Sequence, residues 1–388
     1  MTALSSNGPT RSIALYLPHL RTGGAETVFV RLATGLERLG YRVRFVLDRG
    51  EGNLLAQVVQ PVDDLGASRT LAAVPKLAAW LRRHRPDVLI SALGHNNVAA
   101  LMAVRLAGVA TKVIVGEHSI LGRQNRKDWK FYVMPALAWL FYPQAAAVVA
   151  VSSAGQSDLQ AILGRRAVVE MIHNPAVADD VAARAAAAVA HPWLADDATV
   201  PVILGVGRLD PVKDFPLLIE SFAEVVRQRP ARLVILGEGA ERETLERLRD
   251  RLGLAEHVDL PGVVADPMPW FARAKMVALS SRYEGFGLVL VEAMACGTPV
   301  ATTEAGGPPA EIVKQGELGP VAPSGDRQAL AAAILKVLDH PVDAALLKAR
   351  AADFSFSASF AAYAALIERI CDAPGATVHV PTLPFIRT

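Results

Sequence analysis

Glu284-Gly285-Phe286-Gly287-Leu288-Val289-Leu290-Val291-Glu292-Ala293-Met294-Ala295-Cys296-Gly297-Thr298-Pro299 runs a glycine-rich turn into an apolar helix and brackets it with two carboxylates eight positions apart. The apolar run 275–279 just ahead of it reads as a strand. Glu284, Gly285 and Gly287 therefore fall on a strand-to-helix turn, whose free backbone N–H groups can hold anionic or hydroxyl oxygens. Glu292 lies about two helical turns further on, roughly 12 Å along the axis at 1.5 Å per residue. The two carboxylates can then face different rings of one polyhydroxyl ligand. For an isolated pair at this spacing the plainer reading is an amphipathic helix, with Glu284 as a cap and Glu292 as a solvated charge. The surroundings turn that reading around.

Short apolar runs alternate with helical patterns along the whole chain, as in βαβ units and parallel sheets. The runs predict strands at 12–17, 42–47, 87–92, 112–116 and 146–151, then at 201–206, 231–237, 275–279 and 298–302. Apolar residues at three- and four-residue spacing predict helices at 25–39, 71–84, 215–229, 240–252 and 326–339. The strands form two sets, separated by the alanine-rich polar segment 176–199 with His191-Pro192-Trp193. The fold class expected is α/β, with two Rossmann-like parallel-sheet domains facing a cleft and sites at the carboxyl ends of the strands. The first domain is 1–178 and the second 200–355.

Length and composition agree. A chain of 388 residues suits two cores rather than one, and 52% apolar with 20% charged residues is globular rather than disordered. Forty basic against thirty-eight acidic side chains leave a net charge of +2, which gives no global drive toward nucleic acid. Cys296 and Cys371 make neither a disulfide framework nor a structural zinc site, so a reducing cytoplasm is the simpler setting. Met1 to Thr10 is polar and carries no apolar h-region, so export is not expected.

Three further segments carry glycines or charges at strand ends. Thr22-Gly23-Gly24-Ala25-Glu26 closes the first strand and opens a helix, a turn where the backbone can approach a ligand closely. Gly116-Glu117-His118-Ser119 ends the strand 112–116. Gly205-Val206-Gly207-Arg208-Leu209-Asp210-Pro211-Val212-Lys213-Asp214-Phe215 puts Arg208 and Lys213 at the carboxyl end of the strand 201–206. Gly205-x-Gly207 is not a complete dinucleotide fingerprint, because Asp210 stands where the third glycine belongs.

Together with the 284–299 stretch, these segments resemble, in order and over nearly the whole chain, the signatures of the retaining GT-B-fold glycosyltransferases, the glycosyltransferase family 4-like, glycosyl transferases group 1 proteins. The resemblance implies a nucleotide-sugar donor, with a UDP-sugar favoured and GDP-mannose next. It also implies a hydroxyl acceptor such as a lipid-linked saccharide used in surface polysaccharide biosynthesis. Gly23 and Gly24 match the family's first glycine loop, and His118 its mid-domain histidine, which hydrogen-bonds the donor sugar and helps position the acceptor. Arg208 and Lys213, after Gly207, match its phosphate loop, Glu284 with the amides of Phe286, Gly287 and Leu288 its sugar-hydroxyl contacts beside Gly285, and Glu292 its ribose contact. Gly237 is expected to wall the nucleotide pocket, and Val263 lies where the family holds the base by backbone groups. The helix 356–371 is expected to cross back onto the first domain. One departure is Gly306-Gly307-Pro308-Pro309-Ala310-Glu311, where the family often reads Gly-Gly-x-x-Glu.

A diphosphate leaving group carries two or more negative charges and needs fixed cations and N–H donors. There is no Asp-x-Asp triplet and no His/Cys cluster with metal-ligand spacing, so neither metal nor cofactor is implied, and Arg208, Lys213 and the helix after Gly287 are expected to meet that charge. His95 and His173 also follow apolar runs, but with less support as site residues.

Arg123, Arg126, Lys127 and Lys130 interleave with Trp129, Phe131 and Tyr132 before the apolar run Val133 to Val151. Pro135, Pro143 and Gln144 interrupt that run, so it does not span a bilayer. Segment 123–132 suits a peripheral contact with anionic lipid at the inner face of the cell membrane; a core helix with a solvated basic edge is the alternative. Two other classes fit parts of the pattern: a GT-B-fold sugar-nucleotide epimerase, and a non-catalytic sugar-nucleotide-binding protein.

Overall fold

The computed structural model describes residues 10–21, 23–122, 130–195 and 198–372. The first domain carries strands β1 Ser12–Leu17, β2 Arg42–Leu47, β3 Val62–Asp64, β4 Val88–Ala92, β5 Lys112–Glu117, β6 Ala147–Ala150 and β7 Val169–Met171. Its helices are α1 Gly24–Arg38, α2 Thr70–His84, α3 Gly94–Ala107, α4 Lys130–Phe141 and α5 Ser153–Leu163. After the short α6 Val181–Ala185, the second domain has β8 Val202–Val206, β9 Arg232–Leu236, β10 Val258–Gly262, β11 Met276–Leu279, β12 Val300–Thr303 and β13 Val321–Ala322. Its helices are α7 Phe215–Gln228, α8 Arg242–Arg251, α9 Met268–Arg273, α10 Leu288–Ala295, α11 Pro308–Ile312, α12 Arg327–Asp339 and α13 Ala344–Ala352, and α14 Phe356–Asp372 follows.

Both sheets are parallel, ordered β3-β2-β1-β4-β5-β6-β7 and β10-β9-β8-β11-β12-β13. In each, the strand order reverses once, between β1 and β4 and between β8 and β11. Such a reversal leaves a crevice outside the carboxyl ends of the strands, where ligands of doubly wound sheets bind. The expected strands all form, within two residues at their ends. Edge strands β3, β7, β10 and β13 were not anticipated: Val-Asp-Asp and Val-Glu-Met are short and polar, because an edge buries little. Helix α3 was also not anticipated. It is buried over most of its circumference, with Asn96, Asn97, Val98, Ala99, Ala100, Leu101 and Ala103 all inside, so its sequence shows no amphipathic stripe. The apolar run Val133 to Val151 divides into most of α4, a 3-10 turn at Tyr142–Gln144 and β6.

Helix α14 does cross back. Phe360, Tyr363, Leu366 and Ile367 enter the core of the first domain, and Phe360 fills the space that a side chain on Gly35 would take. Each such side chain stabilises the crossing by about 1.5–3 kcal/mol of burial. Glu368 fastens it further, accepting from the Arg11 guanidinium and the Tyr41 hydroxyl, both at 2.7 Å. Pro308 and Pro309 occupy the first turn of α11, where proline's missing N–H costs nothing, so the departure at 306–311 still opens a helix.

Candidate active site

The loops after β8 and β11 are stitched together over the crevice of the second domain. Ser280 Oγ donates to the Lys213 carbonyl at 2.9 Å, the Arg282 amide donates to the Val212 carbonyl at 2.8 Å, and the Arg282 guanidinium grips both oxygens of Asp214 at 2.7 and 3.2 Å. This sets Lys213 Nζ 2.5 Å from Glu284 Oε1, which also accepts from Ser281 Oγ at 2.7 Å. The ammonium and carboxylate are only 20% and 12% exposed, so water screens the pair weakly. A cation suited to phosphate and a carboxylate suited to hydroxyls thus share one mouth. Arg208 is different: its side chain is 64% exposed and turned onto Asp210 at 2.8 Å.

Glycines let the neighbouring loops nest. A β-carbon on Gly237, whose φ is +144°, would stand 1.8 Å from the Gly207 carbonyl oxygen. The Gly207 amide donates to the Leu236 carbonyl and the Gly237 amide to that of Gly262, which brings Gly207, Gly237 and the 262–263 turn to one rim. Val263 on that rim is 70% exposed. Gly287 takes φ +111° as the residue that opens α10, so the amides of its first turn face the loop. The Phe286 ring is no ligand surface, being packed among His173 and Phe354, so only its backbone is available. Leu288 joins the cores of both domains.

Glu292 is buried in α10 and meets the first domain: its Oε1 accepts from Arg31 Nη2 of α1 at 2.8 Å. A second link has Glu311 Oε2 accepting from both the amide and the hydroxyl of Ser153 at the start of α5, at 2.9 and 2.5 Å. A third is backbone contact between Gly285 and His118.

His118 follows β5, with its ring 6.0 Å from that of Phe29. Its Nε2 is enclosed and has no hydrogen-bond partner among the described residues, and that desolvation lowers the imidazole pKa to about 4. His118 is therefore neutral near pH 7, able to donate or accept one hydrogen bond but not to serve as a cation for phosphate. Beneath it Glu117 is buried, accepting from Ser119 Oγ at 2.6 Å and the Tyr142 hydroxyl at 2.9 Å, with its pKa raised by burial. Asn97 ties Tyr142 to the Gly116 carbonyl, so the loop bearing His118 rests on a braced floor. Gly23 and Gly24 end the loop after β1, at the first domain's own crevice, with the Glu26 carboxylate folded back against Gly23. His95 is exposed at the start of α3, whereas His173 packs at the domain junction and holds the Val151 carbonyl at 3.2 Å.

Sequence patterns single out neither Arg31, Ser281, Arg282 nor Tyr142, and they include Glu117 only as the neighbour of His118. Arg282 could have been found from its place two before Glu284. Arg31 could not, because its partner is 261 positions away.

Most of the 123–132 patch lies outside the described residues, and Lys130 begins α4. The outer face of α4 leaves Val133, Trp139 and Leu140 40, 50 and 39% exposed. Beside it Arg166 lies 4.1 Å over the Trp139 ring, and Arg165 and Val168 are exposed. No helix among the described residues is long and apolar enough to cross a membrane.

Two Rossmann-like domains closing on a cation–carboxylate pair define a GT-B glycosyltransferase architecture. The chain belongs to the GT-B glycosyltransferases: residues 22–179 match the family described as Glycosyltransferase Family 4, and residues 192–353 the family described as Glycosyl transferases group 1. It is 27% identical over 330 residues to the lipopolysaccharide core biosynthesis glycosyltransferase LpsE of Rhizobium meliloti, covering 82% of this chain and 86% of that one. It is 32% identical over 216 residues to the N-acetylgalactosamine-N,N'-diacetylbacillosaminyl-diphospho-undecaprenol 4-alpha-N-acetylgalactosaminyltransferase of Campylobacter jejuni, covering 55% of this chain and 56% of that one. The latter match thus spans little more than half of its relative. Among solved structures, Anabaena Alr3699/HepE in complex with UDP and glucose superposes with a TM-score of 0.76 at 24% identity, over 92% of this chain and 100% of that one.

Proposed function

We propose that this chain is a retaining, metal-independent hexosyltransferase that takes its sugar from a nucleotide diphosphate donor, a UDP-sugar first and GDP-mannose next. The acceptor is a hydroxyl of a lipid-linked saccharide in surface polysaccharide biosynthesis. The observation that carries the reading is the Lys213–Glu284 pair at the second domain's crevice, with Gly285 pressed against the His118 loop of the first. The printed activities of the relatives support the acceptor class, and the UDP in the structural neighbour supports the donor class.

Lys213, Arg208 and the amides opening α10 offset the charge that builds on the departing phosphate. Glu284 holds sugar hydroxyls and Glu292 the ribose, Gly237 and Val263 flank the nucleotide, and His118 positions the reacting groups as a neutral donor or acceptor. A double displacement needs a side-chain nucleophile and an inverting route needs a general base beside the acceptor. With Glu284 and His118 otherwise engaged, the departing phosphate oxygen takes the acceptor's proton. The anomeric carbon–oxygen bond breaks through an oxocarbenium-like state, and the acceptor oxygen bonds on the same face. The exposed apolar side of α4, with Arg165 and Arg166, rests on the anionic inner face of the membrane where lipid-linked acceptors reside.

Incubation with a panel of radiolabelled sugar nucleotides and a lipid extract tests the reading. Label transferred to lipid is expected; a free epimer, or binding without turnover, would replace it with the epimerase or the binding protein. Proton NMR of the product decides stereochemistry, since a large anomeric coupling from a gluco- or galacto-configured α-donor means inversion.

A further inference from the structure

We infer that Arg31, a residue of the first domain, is a positioning residue for the donor site in the second. The inference rests on the assignment of Glu292 to the donor's ribose. Arg31, on α1 of the first domain, touches α10 of the second domain, the segment after β7 and the start of α14. Nη2 donates to Glu292 Oε1 on α10 at 2.8 Å, Nη1 donates to the carbonyl of Pro175 in the loop after β7 at 3.0 Å, and the guanidinium lies 5.4 Å from the ring of Phe356, the first residue of α14. A planar fork with donors in two fixed directions makes both hydrogen bonds at once, which an ammonium on a flexible stem does not reproduce.

The pair is shielded, with side chains 20 and 9% exposed, so it holds a geometry better than a solvated surface pair does. Arg184, the other guanidinium nearby, spends its fork on both oxygens of Asp266 at 2.7 and 2.8 Å. Arg31 is thus the described side chain that orients Glu292. It takes Oε1 and leaves Oε2 to face a ligand hydroxyl. The orientation exists only while α1 and α10 are in register, so donor affinity becomes a readout of how the two domains sit together.

The test compares wild type, Arg31→Ala, Arg31→Lys and Glu292→Gln by calorimetry with UDP and GDP and by steady-state transfer. Arg31→Ala should weaken the preferred nucleotide and raise donor KM about 10-fold, the loss of one charge-assisted hydrogen bond, with acceptor KM unchanged and kcat within about threefold. Arg31→Lys, which keeps the charge but not the planar fork, should fall between wild type and Arg31→Ala. If Glu292→Gln weakens nucleotide and neither Arg31 variant does, the inference fails. If Glu292→Gln leaves nucleotide affinity unchanged, the assignment of Glu292 to ribose fails instead. Where Arg31→Ala does not fold, Arg31→Lys alone decides: wild-type donor KM overturns the proposal, and a raised donor KM at unchanged melting temperature supports it.

Discussion

The backbone of Gly285 lies so close to His118 that a β-carbon on the glycine would stand 1.7 Å from the histidine's carbonyl oxygen. Non-bonded heavy atoms sit best at about 3.5–4.0 Å, so a side chain at 285 must push the two domains apart. The contact joins the loop that carries Glu284 to the loop that carries His118.

Gly285→Ala should therefore fold, because the clash lies between the domains rather than inside either, and lose about 10²-fold in kcat from misplacement of the reacting groups. Steady-state kinetics beside a thermal melt check it. Turnover equal to wild type would mean that the His118 loop and the Glu284 loop need not meet during transfer.

Charge neutralisation separates the two cations. Lys213 is shielded and aimed at the site while Arg208 is 64% exposed and held by Asp210. Lys213→Ala should lose about 10²–10³ in rate, the cost of one preorganised donor. Arg208→Ala should lose about tenfold, since a solvated charge acts through high dielectric. EDTA should leave transfer intact, and activity lost in EDTA but restored by Mg²⁺ or Mn²⁺ would overturn metal independence.

The His118 imidazole, lowered to about 4 by burial, sets a pH dependence with a definite sign. Above the ordinary pKa near 6.5 the ring is neutral both folded and unfolded and contributes nothing. As pH falls from about 6.5 to about 4 the unfolded chain binds a proton that the folded ring refuses, and stability drops by up to about 3 kcal/mol. Urea unfolding at pH 7.5 and at pH 5 should show a smaller acid loss in His118→Asn than in wild type. Equal losses would mean that the ring is solvated when the chain is folded.

At the membrane, the exposed Trp139 and Leu140 beside Arg165 and Arg166 should take the protein down with vesicles containing anionic lipid. Salt above physiological strength should release it, since screening then confines the reach of a charge to under about 8 Å. Trp139→Glu should abolish cosedimentation without changing transfer to a water-soluble acceptor. Equal binding to neutral vesicles, or none to either kind, would return α4 to an ordinary surface helix.

The sequence by itself determined the two parallel sheets, since apolar strands alternating with amphipathic helices have few other ways to bury both faces. It also determined the turn chemistry around Glu284 to Glu292, because carboxylates, glycines and a helix start at that spacing are a local pattern. Local pattern was silent on edge strands and on α3: an edge needs little apolar surface, and a helix buried all round shows no period. What only the tertiary structure decided is which charges meet. Lys213 and Glu284 are 71 positions apart, Arg31 and Glu292 are 261 apart, and His118 meets Gly285 through backbone alone. Pairing over such separations is set by the reversal of strand order in each sheet and by α14 returning to the first domain, and neither leaves a mark on the residues that it brings together.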